Sequence, residues 1–261
     1  MILTGSFYST ALDMETGVCF VCANDYGREA PRKVVYLLHG LQGRYDDFLH
    51  YTRLADICRG HNALFVLPDG QRSFYADMAL GSDFFTYLTE ELPRVVENLF
   101  RVSPRREDTV IMGASMGGYG ALKAALTFPE KYGACGAFSP ACLDMKRYMR
   151  EEWKDGRDAD AFRRAFGKHL KTDFDAAFGP GAGWTGENDL LWLAEQHRDV
   201  PEKPRIFTIW GEKDIFAATC RPFPGQLRDL GWDVAGTEVP GMEHNWRFFS
   251  HALEEGIKAL M

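Results

Sequence analysis

The stretch Thr109-Val110-Ile111-Met112-Gly113-Ala114-Ser115-Met116-Gly117-Gly118-Tyr119-Gly120 decides the reading of this chain. Its first four residues are β-branched or apolar and predict a buried strand, Thr109–Met112. A helix is predicted over Gly117–Phe128, ended by Pro129. Between them lies Gly113-Ala114-Ser115-Met116-Gly117, a G-x-S-x-G pattern at a strand-to-helix turn. Such a turn holds a serine in a strained conformation with its hydroxyl exposed. Small residues two positions before and after it let the strand and helix backbones approach. The helix N-terminus then offers free N–H groups and a partial positive charge to a developing oxyanion.

The same alternation continues on both sides. Strands are expected at Arg32–Leu38, Ala63–Leu67, Ala134–Phe138, Arg205–Trp210 and Val234–Val239. Ser82–Leu99 and Trp246–Leu260 have apolar residues at helical spacing. Strands alternating with helices imply right-handed crossovers and a mostly parallel central sheet with helices on both faces. Two earlier segments, Gly5–Leu12 and Val18–Ala23, read as an antiparallel hairpin turning at Asp13–Gly17. Alternation lapses between Ala141 and Pro204, which carries Trp153, Trp184, Trp192 and Gly179-Pro180-Gly181. This 141–204 segment is expected as a lid-like insertion over the carboxyl edge of the sheet, where open α/β sheets bind ligands. The whole 1–261 chain is then expected to be one domain, a size that needs no disulfide or metal to hold its core.

Composition excludes several classes. The longest purely apolar run, Val18–Ala23, is six residues, against about 20 for a membrane span. Met1-Ile2-Leu3-Thr4-Gly5-Ser6 has no basic leader pattern, so a cytoplasmic location is expected. Net charge is −7, which argues against general nucleic-acid binding. Lys146–Lys171 is locally basic, but its signs are interleaved as on a solvated helical face. Cys19 and Cys22 form a lone C-x-x-C on a predicted strand, where an odd separation puts the thiols on opposite faces. No second pair supports a metal, and none is expected. Glycine is the one outlier, 26 of 261 residues against an average near 7%.

A serine hydroxyl needs a base, and the base needs an orienting carboxylate. On a parallel sheet with a serine elbow the order is nucleophile, acid, histidine. Of seven histidines, His39 precedes Ser115, and His50, His61, His169, His197 and His251 fall in helix, loop or insertion contexts. His244 alone follows the last predicted strand. Asp214 is the favoured acid, in Gly211-Glu212-Lys213-Asp214 just beyond a strand. Glu212 is its local rival and Asp189 a more distant one. The oxyanion hole is assigned to the backbone N–H groups of Met116 and of Leu41, in His39-Gly40-Leu41-Gln42-Gly43. Gly40, Tyr75, Tyr119 and Trp246 flank these loops and are expected to line the substrate pocket.

These residues resemble a known group, the esterase D-like α/β-hydrolases, and within it the tributyrin/acetyl esterase and feruloyl esterase branch. The matching stretches are Leu37–Gly43, Val66–Gly70 with Phe74-Tyr75, Gly113–Lys123, Trp210–Asp214 and Glu243–Trp246. The resemblance implies an α/β-hydrolase fold, a Ser115–Asp214–His244 triad, and cofactor-free hydrolysis of short-chain or aromatic acyl esters. The implied partner is a small-molecule ester, and a homo-oligomer stays open. S-formylglutathione hydrolases, a sister branch, usually carry a different oxyanion loop and a histidine where Tyr119 stands. Two other classes compete. Tyr119-x-x-x-Lys123 mimics a dehydrogenase pair, but both residues share one helix start after several strands, the wrong context for a dinucleotide turn. A non-catalytic binding protein of the same fold would not need an intact serine, acid and base.

Overall fold

The computed structural model describes residues 1–23, 33–100, 102–103, 105–144, 164, 167–180 and 186–261. Eight strands form one sheet: β1 (Ile2–Ser9), β2 (Met14–Cys22), β3 (Lys33–Leu38), β4 (Ala63–Pro68), β5 (Thr109–Ala114), β6 (Ala134–Phe138), β7 (Arg205–Gly211) and β8 (Val234–Val239). Their spatial order is β1-β2-β4-β3-β5-β6-β7-β8. From β3 to β8 all neighbours are parallel, while β2 runs antiparallel to both β1 and β4. The mostly parallel sheet of an α/β-hydrolase is therefore present. Its middle strands are buried on both faces, as their unbroken apolar runs require.

The described helices cover both faces. On one face pack α2 (Leu92–Phe100), α3 (Met116–Thr127), α4 (Leu170–Phe178), α5 (Leu190–Gln196) and α6 (Phe223–Asp229). On the other pack α1 (Asp47–Tyr51) and α7 (Trp246–Leu260). The α2 helix continues a helical run that starts at Phe84 and passes through a π-type turn at Tyr87–Glu91. The two thiols of the lone C-x-x-C fall on opposite faces, Cys22 in the first core and Cys19 in the second.

The hairpin turns earlier than the sequence suggests. Its strands meet through Ser9 and Met14, and Gly17 lies inside β2 opposite Ser6. Gly17 is a packing glycine: a Cβ there would lie 2.4 Å from the Tyr45 ring. The tight turn instead uses Asp13 at φ 53° and is held by the Glu91 carboxylate, which accepts from the Thr10 and Ala11 N–H groups.

Of the 141–204 segment, α4 and α5 are described. The α4 helix docks on the loop after β4, through Phe174 stacked on Phe74 and Asp173 paired to Arg72. The α5 helix packs against α3 and is capped by Asp189, which accepts from the Leu191 and Trp192 N–H groups. Trp153, Trp184 and most of the basic Lys146–Lys171 stretch lie outside the described residues. No described helix is long and apolar enough to cross a membrane.

Candidate active site

Ser115 sits between β5 and α3 at φ 55°, ψ −113°, a region that a side chain enters only when its surroundings over-determine it. Those surroundings are visible. The Ser115 N–H donates to the Phe138 carbonyl at 2.9 Å, and its own carbonyl accepts from Tyr119 and Ala141. A Cβ on Gly113 would fall 2.3 Å from the Gly117 backbone, and one on Gly117 only 2.2 Å from the Leu38 carbonyl oxygen. The two glycines of the pattern are thus contact points between β5, α3 and β3.

The loops after β7 and β8 bring up the partners. Gly211 ends β7, where a Cβ would meet the Met242 carbonyl at 2.4 Å. The Lys213 N–H donates to that same carbonyl, drawing the two loops together. The His244 Nε2 atom lies 3.0 Å from the Ser115 Oγ atom. Its Nδ1 atom lies 2.8 Å from Oδ2 of Asp214. Because a carboxylate only accepts, Nδ1 carries the proton and Nε2 faces the serine as an acceptor. The Asp214 side chain is fully buried, and its Oδ1 atom accepts from the Phe216 N–H at 2.8 Å. The edges of Phe216 and Phe249 flank the His244 ring with centroids 5.2 and 5.0 Å away. Ser115 itself is 5% exposed.

The rivals for the acid do other work. Glu212 is exposed and accepts from the Gly241 N–H, and Asp189 caps α5. His39 is buried beside the oxyanion loop. Its Nε2 atom accepts from the Gly70 N–H at 2.9 Å, so Nδ1 carries the proton and donates to the Gly40 carbonyl at 2.7 Å. The Gly43 N–H donates to the same carbonyl. The C=O and N–H of a trans peptide point in opposite directions, so these two donors fix the Leu41 N–H facing away from them. Gly40 packs against the Ser115 Cβ at 3.5 Å from where its own Cβ would be. The Met116 N–H opens α3, where no residue of its own helix can accept from it.

The four pocket residues separate. Gly40 lies against Ser115. Trp246 is half-buried at the start of α7, stacked on Tyr51 and edge-on to Phe249, which in turn meets His244. Tyr75 and Tyr119 are not on the pocket surface. Tyr75 is 1% and Tyr119 0% exposed. Tyr75 fills the space over Gly70 and Gly120 and donates to the His39 carbonyl, while Tyr119 donates to the Asn188 carbonyl at 2.9 Å. Their hydroxyls are satisfied by backbone, which lets the whole side chain enter the core. Trp192, one of the tryptophans of the 141–204 segment, borders a separate cavity of about 510 Å³ with Cys142, Glu195 and Gln226, which no triad residue lines.

Sequence reasoning overlooked Ser139, whose Oγ donates to Oδ2 of Asp214 at 2.5 Å. A polar residue directly after a strand, at the carboxyl edge, was the available signal. Lys123, weighed in the sequence only as half of a dehydrogenase-like pair, is 5% exposed on α3, donates to the Asn188 side-chain oxygen at 2.8 Å and lies 4.3 Å from the Phe85 ring centroid. Burial pushes its pKa down to about 8.

A serine elbow, an imidazole and a buried carboxylate at the carboxyl edge of a mostly parallel sheet define an α/β-hydrolase. The Esterase family model ("Putative esterase") matches residues 9–227, and the chain belongs to that family. It is 30% identical to an acetyl esterase of Caldicellulosiruptor saccharolyticus, over 84% of this chain and 79% of that protein. It is also 30% identical to the S-formylglutathione hydrolase of Bos taurus, over 42% of this chain but only 46% of that protein. Among solved structures, the fluorophosphonate-binding serine hydrolase FphF of Staphylococcus aureus superposes with a TM-score of 0.83 at 23% identity, covering 100% of this chain and 98% of that one. A ferulic acid esterase superposes with a TM-score of 0.74 at 18% identity, covering 98% and 95%. At those identities the structural matches speak for the fold.

Proposed function

We propose that this protein is a serine carboxylesterase that cleaves short-chain acyl esters, of acetyl or butyryl type, through an acyl-enzyme on Ser115. The observation that carries the reading is the unbroken chain from Ser115 Oγ to His244 Nε2, and from His244 Nδ1 to the buried Asp214. The 30% identity to an acetyl esterase over most of both chains supports the acyl class.

In this reading Ser115 Oγ attacks the ester carbonyl carbon while His244 Nε2 takes its proton. The carbonyl π electrons move to oxygen, and the Leu41 and Met116 N–H groups bind the oxyanion. Collapse of the tetrahedral intermediate breaks the bond to the alcohol, which leaves with the proton from His244. Water, deprotonated by His244, then attacks the acyl carbon; collapse of this second tetrahedral intermediate breaks the bond to Ser115 Oγ, which regains its proton from His244 as the carboxylic acid leaves. Asp214 holds the Nδ1–H tautomer and stabilises the imidazolium in both halves.

The test is hydrolysis of p-nitrophenyl acetate by wild type and Ser115→Ala, with labelling of the wild type by a fluorophosphonate. Loss of about a thousandfold or more in kcat/KM, and labelling at Ser115, are expected. Turnover near the wild-type level in Ser115→Ala would end the proposal. An acyl-chain series with methyl ferulate and S-formylglutathione then sets the substrate, with acetate or butyrate expected to lead.

A further inference from the structure

We infer that Ser139 is a positioning residue of the triad, holding the Asp214 carboxylate in register for His244. The inference rests on the esterase reading above and deepens it. Ser139 follows β6 directly, one strand over from Ser115 and next to β7, which delivers Asp214. It is fully buried. Its hydroxyl donates to Oδ2, the same carboxylate oxygen that accepts from His244 Nδ1. The Phe216 N–H takes Oδ1. Three donors therefore surround the carboxylate, and rotation about its last bond would break at least one of them.

The serine is placed there at a conformational cost. Its φ is +44°, outside the range ordinary side chains prefer. Its N–H is anchored to the Ile209 carbonyl at 2.7 Å, which ties the turn to β7 itself. Two strained serines, Ser115 and Ser139, thus sit at the ends of the adjacent strands β5 and β6, one at each end of the hydrogen-bonded chain. A glycine would satisfy the backbone of Ser139 more easily, so the side chain is what the position retains.

The hydroxyl also sets how much negative charge His244 meets. A donor on Oδ2 neutralises part of the carboxylate's charge. Removing it leaves a stronger counter-charge beside the imidazolium that forms in the reaction. Among the described residues, Phe216, Phe249 and Ser115 face the His244 ring, and the buried Cys220 thiol is a titratable group beside Asp214. Glu212, Lys213, Glu243 and Arg247 on the two loops are exposed.

The experiment compares Ser139→Ala and Ser139→Gly with wild type on p-nitrophenyl acetate, with Ser115→Ala in parallel. Both Ser139 variants are expected to lose about ten-fold in kcat, with KM within about two-fold. The acid limb of their kcat/KM profile should move to higher pH. Glycine tolerates the positive φ, so it keeps the test alive where alanine strains the fold. Wild-type kcat and an unmoved acid limb in Ser139→Gly, with Ser115→Ala inactive, would overturn this inference and leave the triad standing. Loss in Ser139→Ala that Ser139→Gly restores would overturn it too, since strain alone would be the cause. Full activity in Ser115→Ala would remove the esterase mechanism and this inference with it.

Discussion

The helix behind Ser115 and the first strand of the sheet are opposites. All residues of α3 but its last are buried, and glycines at 117, 118 and 120 hold it against β3, Pro140 and Tyr75. By contrast β1 exposes six of its eight residues, with Ile2, Leu3 and Tyr8 about half exposed or more. A strand at the sheet edge keeps its register through one neighbour, whereas α3 is determined from every side. The difference teaches where geometry is stored. A strained serine persists where packing over-determines the backbone, and the edge can vary without disturbing it.

Substitutions can break or sharpen that contrast. Gly117→Ala should have the largest effect, because its Cβ meets backbone that cannot move aside. We expect a loss of about 3 kcal/mol in urea unfolding, or no soluble protein. Tolerance within about 1 kcal/mol would show that α3 has slack.

Lys123 is next. With its pKa pushed down to about 8 by burial, the folded protein binds fewer protons than the unfolded chain between about pH 8 and the ordinary lysine value of 10.5. Stability therefore rises with pH across that window. Between pH 7 and 10.5, the stability of wild type relative to Lys123→Met should increase by about 3 kcal/mol. A difference independent of pH would mean that the ammonium reaches solvent.

Smaller still is Tyr119→Phe, which removes the hydroxyl donor to the Asn188 carbonyl. It should cost about 1 kcal/mol by the same unfolding assay. Its kcat/KM on p-nitrophenyl acetate should stay within about three-fold, because a buried ring does not touch substrate. A large rise in KM would return Tyr119 to the pocket. At the other extreme, Leu3→Thr on β1 should shift stability by no more than about 0.5 kcal/mol. A loss above 2 kcal/mol would make the edge as constrained as the hub.

Much of this was legible in the chain. The strands Ala134–Phe138 and Val234–Val239 and the closing helix Trp246–Leu260 have the bounds their periodicity predicts. Strong local patterns persist because propensity and packing agree there. The hairpin turn did not, since Gly17 looks like a turn residue in sequence and serves as space for the Tyr45 ring in the fold. Tyr75 and Tyr119 failed for a related reason. Nearness in sequence to a catalytic loop says nothing about which way a ring points, and backbone carbonyls drew both hydroxyls inward.

The sequence by itself determined the parallel sheet, the serine elbow, and the order of serine, acid and histidine. These follow from periodicity, turn chemistry and chain direction, all of which are local or topological. Only the tertiary structure decided which groups complete the site. The proton on His39, the hydroxyl of Ser139 on Asp214 and the close passage of the Met242 carbonyl over Gly211 each join residues about 30 or more positions apart. Hydrogen bonds act over about 3 Å, and that distance is set by how strands and loops pack, not by any spacing along the chain.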